Sequence, residues 1–205
     1  MKKVDSNTLI AVAALVTSVV AVFIAWDEAR LQRQNQRASF LPIIDISGSV
    51  RQDPEGPSVL IFVSNRGHGV AYLKSFELLF EGEVIREWDE LGGGLLTPEL
   101  AQTTTVTWAD PTGYFQAGEQ DAFWKMQWEP EMANAFRAHF LLTPNSTINA
   151  ADARACYCSV FGECWESTML GEVEPKRVTS CPDRTDAMES LTQSYLAALA
   201  KRAPQ

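Results

Sequence analysis

Four cysteines offer the clearest chemistry in this chain of 205 residues. They are Cys156, Cys158, Cys164 and Cys181, with the spacing Cys-x-Cys-x5-Cys-x16-Cys. An even number of closely spaced cysteines favours disulfide bonds, and disulfide bonds persist only in an oxidising compartment. We therefore expect the domain that contains them to lie outside the cytoplasm.

A predicted hairpin indicates how these cysteines pair. If the chain turns at Phe161 and Gly162, then Cys158 and Cys164 lie directly opposite each other. Opposed residues of this kind have Cα atoms about 4.5 Å apart at a non-hydrogen-bonded site, which is close enough for a disulfide bond with slight adjustment. Cys156 lies on the same face two residues earlier and is left to pair with Cys181. That second bond would tie the C-terminal segment to the sheet.

Metal binding is the main alternative for the cysteines. Four thiolates can hold zinc, but zinc sites usually contain two Cys-x2-4-Cys pairs, which this spacing does not provide. A thiol-disulfide oxidoreductase would show Cys-x-x-Cys at the start of a helix, and a copper centre would need His and Met beside the cysteines. We predict no metal and no cofactor, and we keep a cytosol-facing four-cysteine zinc module as an alternative.

Other catalytic arrangements have little support in the sequence. The only histidines are His68, in a glycine-rich turn, and His139, in a predicted strand where Arg137 faces the same way. The sequence contains no phosphate-binding loop, no G-x-G-x-x-G and no H-E-x-x-H. We expect a protein that is not an enzyme. A hydrolase that uses carboxylates in the loops around Gly92 or Tyr114 is the alternative.

A hydrophobic run from Leu9 to Trp26 precedes everything else. It contains no charged residue, and as a helix it would be about 27 Å long, close to the hydrocarbon thickness of a bilayer. The run is longer than the apolar part of a cleaved signal peptide, and it ends in bulky rather than small residues. Trp26 suits the membrane interface. We predict an uncleaved anchor whose partner is the lipid bilayer.

The predicted organisation follows from this anchor. It comprises a cytoplasmic tail (1–7), a transmembrane helix (8–26), a helical stalk (27–38), a β-sandwich (39–182) and a C-terminal amphipathic helix (183–205). Lysine and arginine are nearly balanced on the two sides of the span, so the cysteines decide the orientation. We predict a single-pass protein of a bacterial inner membrane with its C-terminal domain in the periplasm. The formal net charge of −9 disfavours nucleic acid as a partner, and an envelope protein is the partner that we consider.

Short segments with turn signals between them predict a mainly β fold. The predicted strands are residues 42–47, 58–64, 72–80, 84–85, 103–108, 122–128, 135–143, 153–160 and 164–166. Residues 91–95 and 110–118 are expected to form loops, and residues 65–69 a turn whose asparagine and glycines supply positive φ angles. Helical spacing over residues 185–201 predicts a helix docked on the sheets. Its apolar positions are Met188, Leu191, Tyr195, Leu196 and Leu199.

The chain contains six tryptophans, and we expect them mainly in the core. Trp124 and Trp128 have the same strand parity as Ala122 and Met126, so all four should face the same way. An exposed aromatic patch for a protein or sugar ligand is the alternative interpretation of the aromatic content.

Two segments resemble known bacterial sequences. The stretch from Phe62 through Asn65 and Gly67 to Ala71 resembles the V-x-N-x-G-x-x-x-A hairpin of bacterial immunoglobulin-like extracellular domains. The segment from Cys156 to Trp165 is similar to one in uncharacterised bacterial single-span membrane proteins. These resemblances imply an immunoglobulin-like β-sandwich on a membrane anchor, and they imply no activity.

Overall fold

The structure, a computed structural model, describes residues 6–142, 151–171, 174–182 and 186–202. The chain divides into two compact units, Met1–Phe40 and Leu41–Gln205. The described part of the first unit is a single helix, α1 (Ser6–Ser39). By length and composition it could cross a membrane within Ile10–Arg37, and its large apolar side chains are exposed. Residues 1–5 of the predicted tail lie outside the described residues.

The second unit contains two antiparallel sheets, and the expectation of a mainly β sandwich with an N-terminal apolar helix and a C-terminal helix is confirmed. Its elements are β1 (Ile44–Asp53), β2 (Gly56–Asn65), β3 (Ala71–Phe80), β4 (Glu83–Val84), α2 (Trp88–Gly94), α3 (Pro98–Thr103), β5 (Thr105–Trp108), β6 (Gly113–Phe115), β7 (Gln120–Gln127), α4 (Ala133–Phe140), β8 (Ala151–Ser159), β9 (Cys164–Thr168), β10 (Lys176–Val178) and α5 (Asp186–Arg202). The four-stranded sheet has the order β1-β2-β7-β5. The six-stranded sheet has the order β10-β9-β8-β3-β4, and β6 also pairs with β3.

The core lies between the two sheets. Phe76 of the six-stranded sheet meets Phe123 of the four-stranded sheet edge to face, with ring centroids 4.2 Å apart. β-branched and aromatic residues suit this half-buried pleated surface, which is why the segments form strands. Both sheets contribute buried apolar side chains to one cluster, including Ile44, Ile46, Val63, Val106, Trp124 and Met126 from one sheet and Ala71, Leu73, Leu78, Ala153, Ala155 and Tyr157 from the other.

The predicted C-terminal helix docks on the sandwich. Leu191 and Tyr195 of α5 are buried, and the Tyr195 hydroxyl accepts a hydrogen bond of 2.9 Å from the backbone N–H of Val106. β5 is an edge strand, and this hydrogen bond satisfies one of its backbone N–H groups. A satisfied N–H group helps to protect the edge from pairing with another chain. Leu196 and Leu199, which the helical spacing also placed on the apolar face, are exposed.

A short helix replaces the loop predicted at residues 91–95. α2 begins with a capping box in which Glu87 and Glu90 each satisfy a backbone N–H of the first turn. Trp88 and Leu91 are both buried and lie on one face at helical spacing. The loop prediction was wrong because it rested on the three glycines. Helix capping and the burial of apolar side chains outweigh the low helix propensity of glycine here.

The predicted strand at residues 135–143 is also wrong, since α4 covers most of it. Phe136 and Phe140 are buried and pack on Trp128, with ring centroids 5.2 and 5.9 Å away. Residues four apart share a face in a strand as well as in a helix, so the two phenylalanines fit either period. Arg137 and His139, two apart, do not share a face of this helix. Residue 143 lies outside the described residues.

A β-bulge alters the predicted face of β7. The register with β2 shifts between Ile61 and Phe62, which pair with Trp124 and Ala122, so that Phe123 is the additional residue. Trp124 and Met126 are buried as predicted, but Ala122 is exposed and does not share their face. Likewise, the predicted loop at residues 110–118 contains the short strand β6.

Asn65 organises the turn that follows β2. It does so through side-chain hydrogen bonds and not, as predicted, through a positive φ angle. Its side-chain N–H groups donate to the carbonyl oxygens of Gly69 and Phe115, at 2.7 and 3.1 Å. Its side-chain oxygen accepts from the backbone N–H groups of Ile43 and Gly67. Gly67 and Gly69 are not among the described glycines with positive φ. A Cβ atom on Gly67 would overlap the backbone of residues 41–43, so close approach explains this glycine.

Candidate functional site

One face of the six-stranded sheet brings the cysteines and two tyrosines into a row. In the strand register, Tyr114 lies opposite Tyr72, Tyr72 opposite Cys158, and Cys158 opposite Cys164. The neighbouring residues Leu73 and Tyr157 belong to the core. Because side chains alternate along a strand, this row faces away from the other sheet. We call this face the outer face of the six-stranded sheet.

The structure forms the two disulfide bonds that the hairpin argument predicts. Cys158 bonds to Cys164 across the β8–β9 hairpin, with Cα atoms 4.0 Å apart. Cys156 bonds to Cys181, which follows β10, with Cα atoms 5.5 Å apart. No cysteine is free, so this state offers no thiol nucleophile.

The two disulfide bonds form one cluster of sulfur atoms. The Cys158 and Cys181 sulfurs, which belong to different bonds, lie 3.8 Å apart. The sulfurs of Cys158, Cys164 and Cys181 all lie within 4.8 Å of one another. Cys156, Cys158 and Cys164 are buried, and Cys181 is half-buried. We call these four residues the sulfur cluster.

A buried ion pair lies on the same outer face. Glu77 and Arg154 are paired in the β3–β8 register, and Nε and an Nη nitrogen of the arginine donate to the same carboxylate oxygen at 3.0 and 2.6 Å. The Glu77 side chain is 3% exposed and that of Arg154 is 25% exposed. A charge so far removed from water requires a partner, and the arginine supplies it.

The row ends in exposed aromatic side chains. Tyr114 is 71% exposed, and its ring lies 4.7 Å from that of Tyr72, centroid to centroid. The Lys74 ammonium group is 5.6 Å from the Tyr72 ring, within range of a cation–π interaction. Val160 and Phe161 at the tip of the β8–β9 hairpin are also exposed. We call Tyr72, Tyr114, Val160 and Phe161 the aromatic patch.

A groove of about 360 Å³ lies beside α5. Trp108 contributes an aromatic wall, and Asp110 and Glu189 contribute exposed carboxylates. Asp110 accepts a hydrogen bond of 2.8 Å from the backbone N–H of Thr112, which fixes the loop after β5. The groove therefore has one element in common with the hydrolase alternative, namely a carboxylate in the loop that precedes Tyr114.

The carboxylate of Glu90, beside the loop around Gly92 that the hydrolase alternative considers, serves the fold. The Glu90 carboxylate accepts hydrogen bonds from the backbone N–H groups of Arg86 and Glu87 at the start of α2. It is therefore a helix cap rather than a free acid or base. His139 places Nε2 2.7 Å from the Leu95 carbonyl oxygen, and His68 is exposed in its turn.

Tyr157 lies beneath the sulfur cluster, on the core side of β8. Burial raises the pKa of its phenol, and the nearby Ser167 hydroxyl and Ile44 backbone oppose this shift. Neither hydroxyl makes a hydrogen bond of ordinary geometry in the described part of the chain. The ring stacks near Trp165, with centroids 5.9 Å apart.

Comparisons with known proteins do not assign the chain to a family. No protein-family model matches the chain, and no curated protein matches it significantly.

Sequence analysis missed three features of this region. The tyrosine pair depends on β6, which lies within a predicted loop. The pair of Glu77 and Arg154 joins residues 77 positions apart, which only the strand register brings together. The groove combines the end of β5 with α5. The alternation of residues 72–80 was a usable signal for the ion pair, because it places the charged Glu77 on the same face as Ser75 and opposite to Phe76 and Leu78.

Proposed function

We propose that this chain is a single-pass protein of the bacterial inner membrane whose disulfide-bonded β-sandwich acts in the periplasm as a non-catalytic binding module for another envelope protein. This assignment places it with the single-span immunoglobulin-like proteins that its motifs resemble. The exposed aromatic patch is the observation that carries the proposal.

The aromatic patch has the composition of a protein-binding surface. Tyr72 and Tyr114 present large, rigid rings with polar ends, which are enriched at the centres of interfaces. Val160 and Phe161 extend the apolar area at the same end of the sheet, since Ser159 pairs with Ala71 there. Two exposed rings in contact, with further exposed apolar side chains at the same end of the sheet, differ from the scattered single apolar residues of an ordinary surface.

The anchor and the disulfide bonds support the compartment. α1 has the length and composition of a span, and its apolar side chains have no protein to pack against among the described residues. Two disulfide bonds suit an oxidising compartment. Together they favour export of the β-sandwich over a cytosolic location.

A non-catalytic role agrees with the chemistry of the described residues. All four cysteines are oxidised, and Glu90 caps a helix. Nothing described here positively indicates catalysis. The carboxylates of the Trp108 groove are exposed, whereas a general acid usually needs a desolvated site.

The compartment of the β-sandwich is tested by protease treatment of spheroplasts and by thiol alkylation of intact cells. A membrane-impermeant protease added to spheroplasts should digest the β-sandwich, and thiol alkylation should label it only after reduction. Protection of the β-sandwich from the protease, or four thiols that react without reductant, would contradict the proposal.

Binding is tested with a photoreactive amino acid placed in the patch. Substitution at Tyr114 should give a discrete cross-linked product in intact cells, and the Tyr72→Ser/Tyr114→Ser variant should weaken its co-purification with that partner at least about tenfold. The same photoreactive residue at Thr105, an exposed position on the other sheet, is the matched control. Equal products from both positions, or none from the patch, would sink the idea.

A further inference from the structure

The sulfur cluster has the composition and spacing of a metal site once its disulfide bonds are reduced. We infer that the reduced chain binds one Zn²⁺ ion through Cys156, Cys158, Cys164 and Cys181. The inference is independent of the proposed function, because it concerns the reduced chain, which exists before any oxidation.

The distance between the two disulfide bonds carries the argument. A Zn–S bond is about 2.3 Å, so the sulfurs of a tetrahedral four-thiolate site lie about 3.8 Å apart. The Cys158 and Cys181 sulfurs, which are not bonded to each other, already have this spacing of 3.8 Å. The Cys164 sulfur lies within 4.8 Å of both. Cys156 and Cys158 lie two residues apart on one face of β8, so the strand itself keeps the two pairs of sulfurs adjacent after reduction.

The backbone supplies the ligands from two directions. β8 and β9 hold Cys156, Cys158 and Cys164 on one face of the sheet, while Cys181 arrives on the segment that follows β10. Side-chain rotations can then separate the sulfurs of each reduced bond around an ion at the centre. Three of the four residues are buried, so an ion there would be shielded from water.

A dithiol can serve as the reductant of the two disulfide bonds. Each disulfide bond takes up two electrons and two protons, and each dithiol becomes a cyclic disulfide. Zn²⁺ binding then releases up to four protons from the four thiols, because the thiolate is the ligand. In the strand register, Glu166 lies opposite Cys156, and Lys176 lies opposite Glu166. One acidic and one basic residue therefore flank the site.

The test uses the full-length protein in detergent, reduced under anaerobic conditions, with Co²⁺ as the first probe. We expect one equivalent to give the charge-transfer and visible bands of tetrahedral thiolate coordination, and Zn²⁺ to abolish them. Zn²⁺ should also raise the melting temperature of the reduced protein and leave that of the oxidised protein unchanged.

Variants decide whether the folded cluster is the site. Cys181→Ser leaves three thiolates, so its visible bands should shift to shorter wavelength, whereas Ser180→Ala, the neighbouring exposed control, should keep the bands of the wild type. The reduced proteins all lack disulfide bonds, so loss of a bond cannot explain the difference. Bands that are unchanged in Cys181→Ser, that are equally strong in urea, or that never form would overturn the inference. So would a metal complex without the near-UV circular dichroism of the folded protein.

Discussion

The two faces of the six-stranded sheet are stabilised by different physics. The inner face buries Leu73, Phe76 and Leu78 against a second sheet, so apolar burial holds it in place. No second sheet covers the outer face among the described residues, yet Glu77 and Cys156 are only 2% exposed. This face carries two disulfide bonds and an ion pair.

Because of this difference, the two faces should respond differently to amino-acid substitution. An apolar core tolerates changes of side chain that conserve volume, because its contacts are numerous and individually weak. A covalent bond or a buried ion pair depends on particular partner residues, and losing one of them leaves a defined defect. We therefore expect the outer face to show the more discrete response to substitution.

The largest effect should come from the ion pair. Arg154→Ala leaves the Glu77 carboxylate buried without its arginine, and breaking a buried pair in this way costs about 3–5 kcal/mol. The free energy of unfolding from urea titrations should fall by that amount.

The control replaces both partners. Glu77→Leu/Arg154→Met removes both members of the pair, so no buried carboxylate is left without its arginine, and the double variant should be far closer to the wild type than Arg154→Ala is. If both variants lose the same stability, side-chain packing rather than uncompensated charge holds this part of the outer face.

Next in size is the disulfide bond that reaches the C-terminal segment. Cys156 and Cys181 are 25 residues apart, and closing a loop of that length restricts the unfolded chain by about 3.5 kcal/mol. The variant Cys156→Ser/Cys181→Ser should lose this stability. It should also increase hydrogen exchange in α5, which begins shortly after Cys181. Unchanged exchange in α5 would show that helix packing alone secures the C-terminal segment.

The hairpin disulfide bond should matter less. Cys158 and Cys164 are only 6 residues apart, which corresponds to about 2 kcal/mol, and the β8–β9 ladder already holds them together. Cys158→Ser/Cys164→Ser should therefore lower the denaturation midpoint less than removal of the longer bond. The reverse order would contradict the loop-length argument.

The two faces also differ in how well the sequence predicts them. Alternation over residues 72–80 predicts the strand, although the register shift between Leu73 and Ser75 puts Leu73 on the same side as Phe76, against the pattern. The spacing of Cys158 and Cys164 about Phe161 predicts a hairpin bond. Both signals are local. The ion pair and the tyrosine pair join distant segments, so they depend on a strand register that no local pattern determines.

Outside this sheet, the errors have specific physical causes. The spacing of Phe136 and Phe140 satisfies both the helical and the strand period, so only tertiary packing on Trp128 decides between them. The helix at residues 88–94 did have a local signal, the capping box of Glu87 and Glu90, which the glycine run obscured. The groove at Trp108 depends on where α5 docks, which composition does not determine.

The smallest effect concerns the inner face, at Tyr157. Its hydroxyl is buried without a hydrogen bond of ordinary geometry, so Tyr157→Phe should change the free energy of unfolding at pH 8 by less than about 0.5 kcal/mol. Burial raises the pKa of this phenol above its ordinary value of 10.0. The unfolded chain therefore ionises first, and the wild type should lose stability as the pH rises through 10 toward the raised pKa. Urea titrations between pH 8 and 11 should show the wild type falling below the phenylalanine variant only above pH 10. Parallel curves would mean that water reaches this hydroxyl, and that the inner face is less dry than the outer one.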